Sequence, residues 1–399
     1  MGIMTNVQAA PPDPILGLAE AYCHDPNPLK INLGVGVYQD DDGQTPILHA
    51  VHAAEERLLA ERLPKTYLPI AGSPGYAAQV QRLIFGDGHE VAASGRARTV
   101  QAPGGTAALR VGADLMAALV PGPRVWVSRP TWPNHPGIFK AGGFRVEEYP
   151  YYDPVKRAVD FPGMKACLAR IPAGDAVVLH VSCHNPTGAD LSVEEWREVA
   201  DLARRGGWVP FLDFAYQGFG SGVETDRAGL LAIAEAVPEF LVANSFAKNF
   251  GLYAERAGAL TLVAATSREA DAAFSQAKRV VRTMYSNPPA HGALIVKTVL
   301  EDAALNRQWR GELDAMRARL VWARGALIQG LTARGVRADC EFVKRQHGLF
   351  SMIELTPDQI RRLRDEHSIY VVDGGRVNVA GITSRNVSCL CDALARIAA

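Results

Sequence analysis

Between about residues 124 and 265 the chain alternates short apolar runs with stretches of helical spacing, and this alternation restricts its possible folds more than any other feature. The runs are Val125-Trp126-Val127, Phe144 to Tyr149, Ala176 to Val181, Trp208 to Phe214, Phe240 to Phe246 and Ala257 to Ala265. Each has strand length, and the segments between several of them are long enough for a crossover helix. One such segment is delimited at both ends. Ser192-Val193-Glu194-Glu195 carries the Ser-x-x-Glu capping box, Trp196, Val199, Ala200 and Ala203 follow at helical spacing, and Gly206-Gly207 ends the pattern. Repeated strand-helix-strand units predict an α/β protein with a mostly parallel sheet between helices, and ligands at the carboxyl ends of its strands.

After about Asp271 the pattern turns helical, with a long stretch near Asp302 to Leu331 that lacks proline. Shorter elements return at Gly348 to Glu354, Thr356 to Glu366 and Tyr370 to Val379, which suits a second, smaller α+β domain. The first fifteen or so residues hold three prolines and little periodicity, and predict an extended arm.

Bulk properties exclude several classes of function. Lys plus Arg and Asp plus Glu balance at 42 each, and no basic run is interleaved with aromatics, so no nucleic-acid partner is expected. The start of the chain lacks a basic segment followed by an apolar one, and no later window has the uninterrupted apolar length of a membrane span; we expect a cytoplasmic protein with no membrane partner. Cys23, Cys167, Cys183, Cys340, Cys389 and Cys391 follow neither zinc-site nor disulfide spacing, so reduced thiols and no metal are expected.

Several residues carry chemistry only when taken together. Gly104-Gly105-Thr106 precedes a good helix former, Ala107 to Leu119, whose free N–H groups would suit a phosphate; alone it also reads as an ordinary glycine turn. Asp213 falls near the end of one predicted strand, where a carboxylate commonly caps the next helix, with Tyr216 three residues on. Lys248 follows the next strand in Ser245-Phe246-Ala247-Lys248, so an acid and an amine come to one crevice from neighbouring strand ends.

Ser245-x-x-Lys248, with Arg256 and Gly258 after it, resembles the lysine signature of class I pyridoxal-phosphate aminotransferases. The resemblance runs from Asp13-Pro14-Ile15-Leu16-Gly17-Leu18 to Gly375-Arg376-Val377-Asn378-Val379-Ala380-Gly381. His184-Asn185-Pro186-Thr187-Gly188, Asp213-Phe214-Ala215-Tyr216-Gln217-Gly218-Phe219 and Tyr285-Ser286-Asn287-Pro288-Pro289 are similar to the aspartate and aromatic amino acid subgroup. The resemblance implies a fold-type I transferase: a large domain at 46–312 with a mostly parallel seven-stranded sheet, a small α+β domain from 14–45 and 313–399, and an arm at 1–13.

It also implies roles. Lys248 would carry pyridoxal 5'-phosphate as a Schiff base and act as the catalytic base. Asp213, supported by His135, would face the pyridine nitrogen; Asn185 and Tyr216 would bond the ring's phenolic oxygen; Trp132 would stack on the ring. Gly104, Gly105, Thr106, Ser245 and Arg256 would hold the phosphate, joined by Tyr67 from a neighbouring subunit. Arg376, with Asn185 and Gly36, would grip the substrate α-carboxylate beside Trp132, and Arg282 would cross from the partner to a distal carboxylate. The implied activity is ping-pong exchange of an amino group between aspartate, glutamate or an aromatic amino acid and 2-oxoglutarate, in a homodimer with shared sites.

Some positions depart from that pattern. Val37, Thr45, Thr106 and Asn287 look like the aspartate-preferring members. Gln39, Thr66 and Met284 differ and suggest a more apolar pocket, and Asp373, close to Arg376, would favour an unusual, even cationic, substrate if it faced the site. A specialised biosynthetic transaminase or a lyase on the same scaffold is the alternative activity. A non-catalytic relative should lack one of Lys248, Asp213 or Arg376, and all three are present; a nicotinamide-dependent oxidoreductase should show Gly-x-Gly-x-x-Gly at the Gly104 turn, and it does not.

Overall fold

The computed structural model describes residues 2–9, 14–336 and 340–398. Seven strands form one sheet: β1 (Ala97–Pro103), β2 (Arg124–Arg129), β3 (Arg145–Pro150), β4 (Ala176–His180), β5 (Val209–Phe214), β6 (Phe240–Ser245) and β7 (Ala257–Val263). Their order across the sheet is β1-β7-β6-β5-β4-β2-β3. Only β7 runs antiparallel to its neighbours. The fold is therefore the mixed, mostly parallel α/β sheet expected, flanked by helices.

Alternation along the strands explains the two apolar layers. In β4, Val177 and Leu179 pack with Trp196, Val199 and Leu212 on one face, while Ala176 and Val178 pack with Leu109, Phe139 and Phe211 on the other. Both faces are dry, so the central strands read as continuous apolar runs. The crossover helix Val193–Gly206 has its capping box in place, Ser192 Oγ accepting the Glu195 N–H, and it ends at Gly207 with φ 68°.

β1 is the strand absent from the list of apolar runs. Its buried Thr99 and Gln101 disguise it. Thr99 Oγ1 lies 2.8 Å from Thr261 Oγ1, and Gln101 Nε2 donates to Pro289 O at 2.6 Å, so the polar atoms are satisfied by distant partners that a local pattern does not reveal.

The long helix Ala303–Ala333 is capped by Asp302, which accepts the N–H groups of Ala304 and Leu305. It buries Trp309, Leu313, Met316, Leu320, Leu327 and Leu331 at helical spacing. The two ends of the chain meet: Ile31–Asn32 pairs in parallel with Ile369–Tyr370, and Phe350–Met352 pairs antiparallel with Arg376–Asn378. At the amino end, Ile3–Asn6 forms a short 3-10 turn in place of extended backbone, with the Thr5 N–H donating to Gly2 O at 3.1 Å. Met1 and residues 10–13 of the expected arm lie outside the described residues. Among the described residues no helix is long and apolar enough to cross a membrane, and no group of three or more His, Cys, Asp and Glu could hold a metal.

Candidate active site

The sheet delivers its polar residues to one edge. β1, β4, β5 and β6 all end on the same side, and antiparallel β7 begins there, so Gly104, His180, Asp213, Ser245 and Arg256 converge although 152 positions separate the first from the last. A cleft of about 250 Å³ opens at this edge. Its walls include Gly36, Gly105, Thr106, Trp132, Asn185, Asp213, Tyr216, Ser245, Lys248 and Arg256.

One end of the cleft is built for an anion. The helix Gly105–Leu119 starts there with no side-chain cap, leaving first-turn N–H groups open. Gly104 has φ 84°, and a Cβ at this position would lie 2.3 Å from Arg256 Nη2, so only glycine lets the guanidinium come this close. Arg256 is itself left-handed at φ 53°, with Nη1 donating to Tyr253 O at 3.0 Å. Ser245 Oγ accepts the Ala247 N–H at 3.3 Å.

Behind the Asn185 wall of the cleft stands a group suited to a carboxylate. Arg376 is buried; its Nη2 donates to Gly34 O at 2.7 Å, its Nη1 lies 3.5 Å from Asn185 Oδ1, and its Nε has no partner. Phe350 lies under the guanidinium, 4.3 Å from ring centroid to Cζ. A buried cation with an idle N–H beside a half-used one calls for an anionic, bidentate guest.

Asp213 and Lys248 also line the cleft. Burial pushes the Asp213 carboxyl upward, but the hydrogen bond from His135 Nε2 (3.1 Å), together with the electrostatic influence of His135, His180 and Lys248, outweighs it and holds the carboxyl below its ordinary value. Burial also lowers the Lys248 ammonium, aided by Arg256 and opposed by Asp213, which enlarges the neutral amine fraction. Lys248 Nζ stands 4.9 Å from the centroid of Tyr216. Burial and the Asp213 charge raise the Tyr216 phenol, whose Oη lies 3.4 Å from Asn185 Nδ2.

A column of rings backs the carboxylate, and its inner members had no local signal in the sequence. Trp132 meets His135 edge-on at 5.3 Å, His135 meets His180 at 5.1 Å, His180 meets His184 at 4.4 Å, and Tyr151 stacks on His184 at 3.9 Å. Thr131 Oγ1 bonds His135 Nδ1 at 2.7 Å and orients that ring. Burial, with the charge of His135, pushes His180 down to about 3, and burial with the neighbouring histidines pushes His184 lower than its ordinary value as well. Both are depressed on folding, so their neutral forms contribute stability above the unfolded value of 6.5 that is lost as pH falls towards 3. The unfolding free energy in urea should therefore drop by roughly 2.7 kcal/mol per pH unit below pH 6 from these two rings. A flat profile between pH 7 and 5 would show that they are not held neutral.

Tyr67 and Arg282 are not brought to the cleft. Tyr67 is 92% exposed, and Arg282 is exposed and bonded to Ser286 Oγ. The two belong to one outer face: Ser286 Oγ donates to Asn287 Oδ1 and Asn287 Nδ2 to Leu68 O at 2.7 Å, beside a groove that Tyr67 lines. Asp373 is exposed and near Arg364, not turned to Arg376, so the reason to consider a cationic substrate falls away. Met284 packs in the apolar cluster behind β1 and does not line the cleft. Gln39 is half-buried and Thr66 exposed, both outside the cleft walls. His180, Tyr253, Leu109 and Ala247 line the cleft unforeseen; each is of a type found throughout protein cores and loops.

Residues 28–394 match the family model described as aminotransferase class I and II. The chain is 49% identical to the aspartate aminotransferase of Salmonella typhi, covering 98% of this chain and 99% of the relative. It is 43% identical to the aromatic-amino-acid aminotransferase of Pseudomonas aeruginosa over the full length of both. Among solved structures, the aromatic-amino-acid aminotransferase of Burkholderia pseudomallei, covalently bound to pyridoxal phosphate, superposes with a TM-score of 0.98 at 45% identity over all of both chains. On the family model and these full-length likenesses, the chain belongs to the class I and II aminotransferases.

Proposed function

We propose that this protein is a pyridoxal-phosphate-dependent aminotransferase that moves an amino group between aspartate, glutamate or an aromatic amino acid and 2-oxoglutarate, as a cytoplasmic homodimer. The observation that carries the reading is the disposition of Lys248, a buried amine of lowered basicity set between the Asp213 carboxylate and the Arg256 guanidinium. The cofactor suits the cleft, because open helix N–H groups and Arg256 await a phosphate at one end and Asp213 an aromatic nitrogen further in. When bound, it supplies an aldehyde that condenses with amines and an electron-withdrawing ring.

The chain's own residues then divide the work. Arg376 and Asn185 fix the substrate carboxylate, which turns the Cα–H towards Lys248. Lys248 Nζ, its basicity lowered by burial, accepts that proton in its free-amine form. Asp213 keeps a positive charge stabilised opposite it, and Tyr216 and Asn185 donate to an oxygen on the facing edge. Trp132 covers the cleft. The residues 46–312 serve as the cofactor-binding domain, with 14–45 and 313–399 as the smaller one. Cys23, Cys167, Cys183, Cys389 and Cys391 are free thiols, in keeping with a reducing compartment. The purified protein should absorb near the visible edge and lose that band when aspartate or glutamate is added; a colourless protein unresponsive to added cofactor would sink the reading.

Tyr67 and Arg282 support the dimer, since both stand on one exposed face with apolar Leu59 and Leu63 nearby, outside their own cleft. In the partner's cleft they would complete the phosphate and distal-carboxylate contacts. Mixing subunits tests this. A Lys248→Ala subunit keeps Arg282, and an Arg282→Ala subunit keeps Lys248, so a hybrid has one intact site. Denaturing and refolding the two inactive parents together should restore aspartate turnover to about a quarter of wild type, given random pairing. No recovery would place each Arg282 in its own subunit's site.

A further inference from the structure

Among the described residues, a single hydrogen bond joins the segment 34–45, which supplies Gly36 to the cleft, to the large sheet and its loops: the Tyr38 N–H donates to Tyr253 Oη at 2.8 Å. Among the described residues, every other long-range hydrogen bond of that segment runs to the later part of the chain. Asn378 Nδ2 donates to Val35 O and Val37 O at 2.6 and 2.7 Å, Arg376 Nη2 to Gly34 O, Arg319 Nη2 to Asp40 O at 2.9 Å, and the Ser384 N–H to Asp41 Oδ1 at 2.8 Å. Thr45 Oγ1 bonds Tyr38 O locally at 2.9 Å. The segment is therefore tied by hydrogen bonds to the carboxylate-binding Arg376 and its neighbours, and its one hydrogen bond to the Lys248 side is made to a phenol.

That phenol is well placed to matter. Tyr253 lies five positions after Lys248, lines the same cleft, and offers its backbone carbonyl to Arg256 Nη1 at 3.0 Å. One residue thus holds the anion-binding guanidinium by its main chain and the substrate rim by its side chain. The ring is half-buried, and Tyr38 is buried, so water competes poorly for the Tyr38 amide.

Resting on the functional reading above, we propose that Tyr253 is a positioning residue that pins the 34–45 rim to the Lys248 loop, so that Arg376 meets the substrate carboxylate at the correct distance from Lys248. It acts on substrate affinity and not on holding the cofactor.

The test is Tyr253→Phe in the holoenzyme, which keeps the ring and removes only the acceptor oxygen. KM for both amino acid and 2-oxo acid should rise about five- to ten-fold, the size expected for one buried hydrogen bond, with kcat changing less than about three-fold. The dissociation constant of succinate, an unreactive dicarboxylate, should rise in step. Deuterium exchange over residues 34–45 should quicken, while the cofactor's dissociation constant and the thermal midpoint stay at wild-type values. Unchanged KM and exchange would overturn the proposal, as would a parallel loss of cofactor affinity and thermal stability, which marks a general structural role. Wild-type protein without a cofactor band would defeat the functional reading instead, and the exchange over 34–45 would still decide the pin.

Discussion

A Lys248→Ala variant is expected to fold, to bind pyridoxal phosphate, and to turn over amino acid at least ~10⁴-fold more slowly than the parent. The fold should persist because the removed side chain is not part of either apolar layer, and its loss relieves the cost of confining a charge where burial already disfavours it. Cofactor binding should persist because the groups that suit a phosphate and a ring nitrogen, namely the open helix start, Arg256 and Asp213, belong to other elements. Turnover should collapse because among the described residues no other amine lines the cleft, and His135, bonded to Asp213 and to Thr131, is not one of its walls. The checks are kcat with aspartate and 2-oxoglutarate, and an absorbance titration with cofactor. Activity within tenfold of wild type would remove Lys248 from the catalytic role.

How much of this was legible beforehand follows from how local each signal is. The capping box at Ser192 and Glu195 concerns four consecutive residues, and the helix begins where they say. Ser245 and Lys248 share one strand end, so their common destination could be read from the pattern. β1 could not be: Thr99 and Gln101 look like surface residues until Thr261 and Pro289 supply their partners, more than 150 positions away. Tyr253 is likewise silent, because its significance lies in the Tyr38 amide, 215 positions away in sequence. His180 and His184 gain their character from being buried against one another, a property of the stack and not of either residue. The face carrying Tyr67 and Arg282 was anticipated through resemblance alone; a single chain shows it as an exposed surface.

Asp213→Asn should lower kcat by about 10³-fold near pH 7, the scale for removing one fixed electrostatic contact from an enclosed site. Asparagine has almost the same shape and can still accept from His135, so packing is preserved and the change isolates the charge. Two opposing effects set the charge in the native site. Burial alone would favour the neutral acid, whereas the His135 hydrogen bond and the surrounding positive charge keep the anion. Because the net result is a depressed carboxyl, its ionised form contributes stability above the unfolded value of 3.8, lost as pH falls through the lower native value. The wild-type acid limb above pH 4 should thus owe nothing to Asp213. Removing His135 should shift that balance: in His135→Leu the burial penalty loses its main opponent, the carboxyl rises, and an acid limb from Asp213 should move up the pH scale. Comparing the kcat profiles of wild type, Asp213→Asn and His135→Leu separates the anion from the group that maintains it. If His135→Leu keeps the wild-type profile, the anion is stabilised by something other than the ring stack; if Asp213→Asn keeps the wild-type kcat, no anion is needed opposite the cofactor's ring nitrogen.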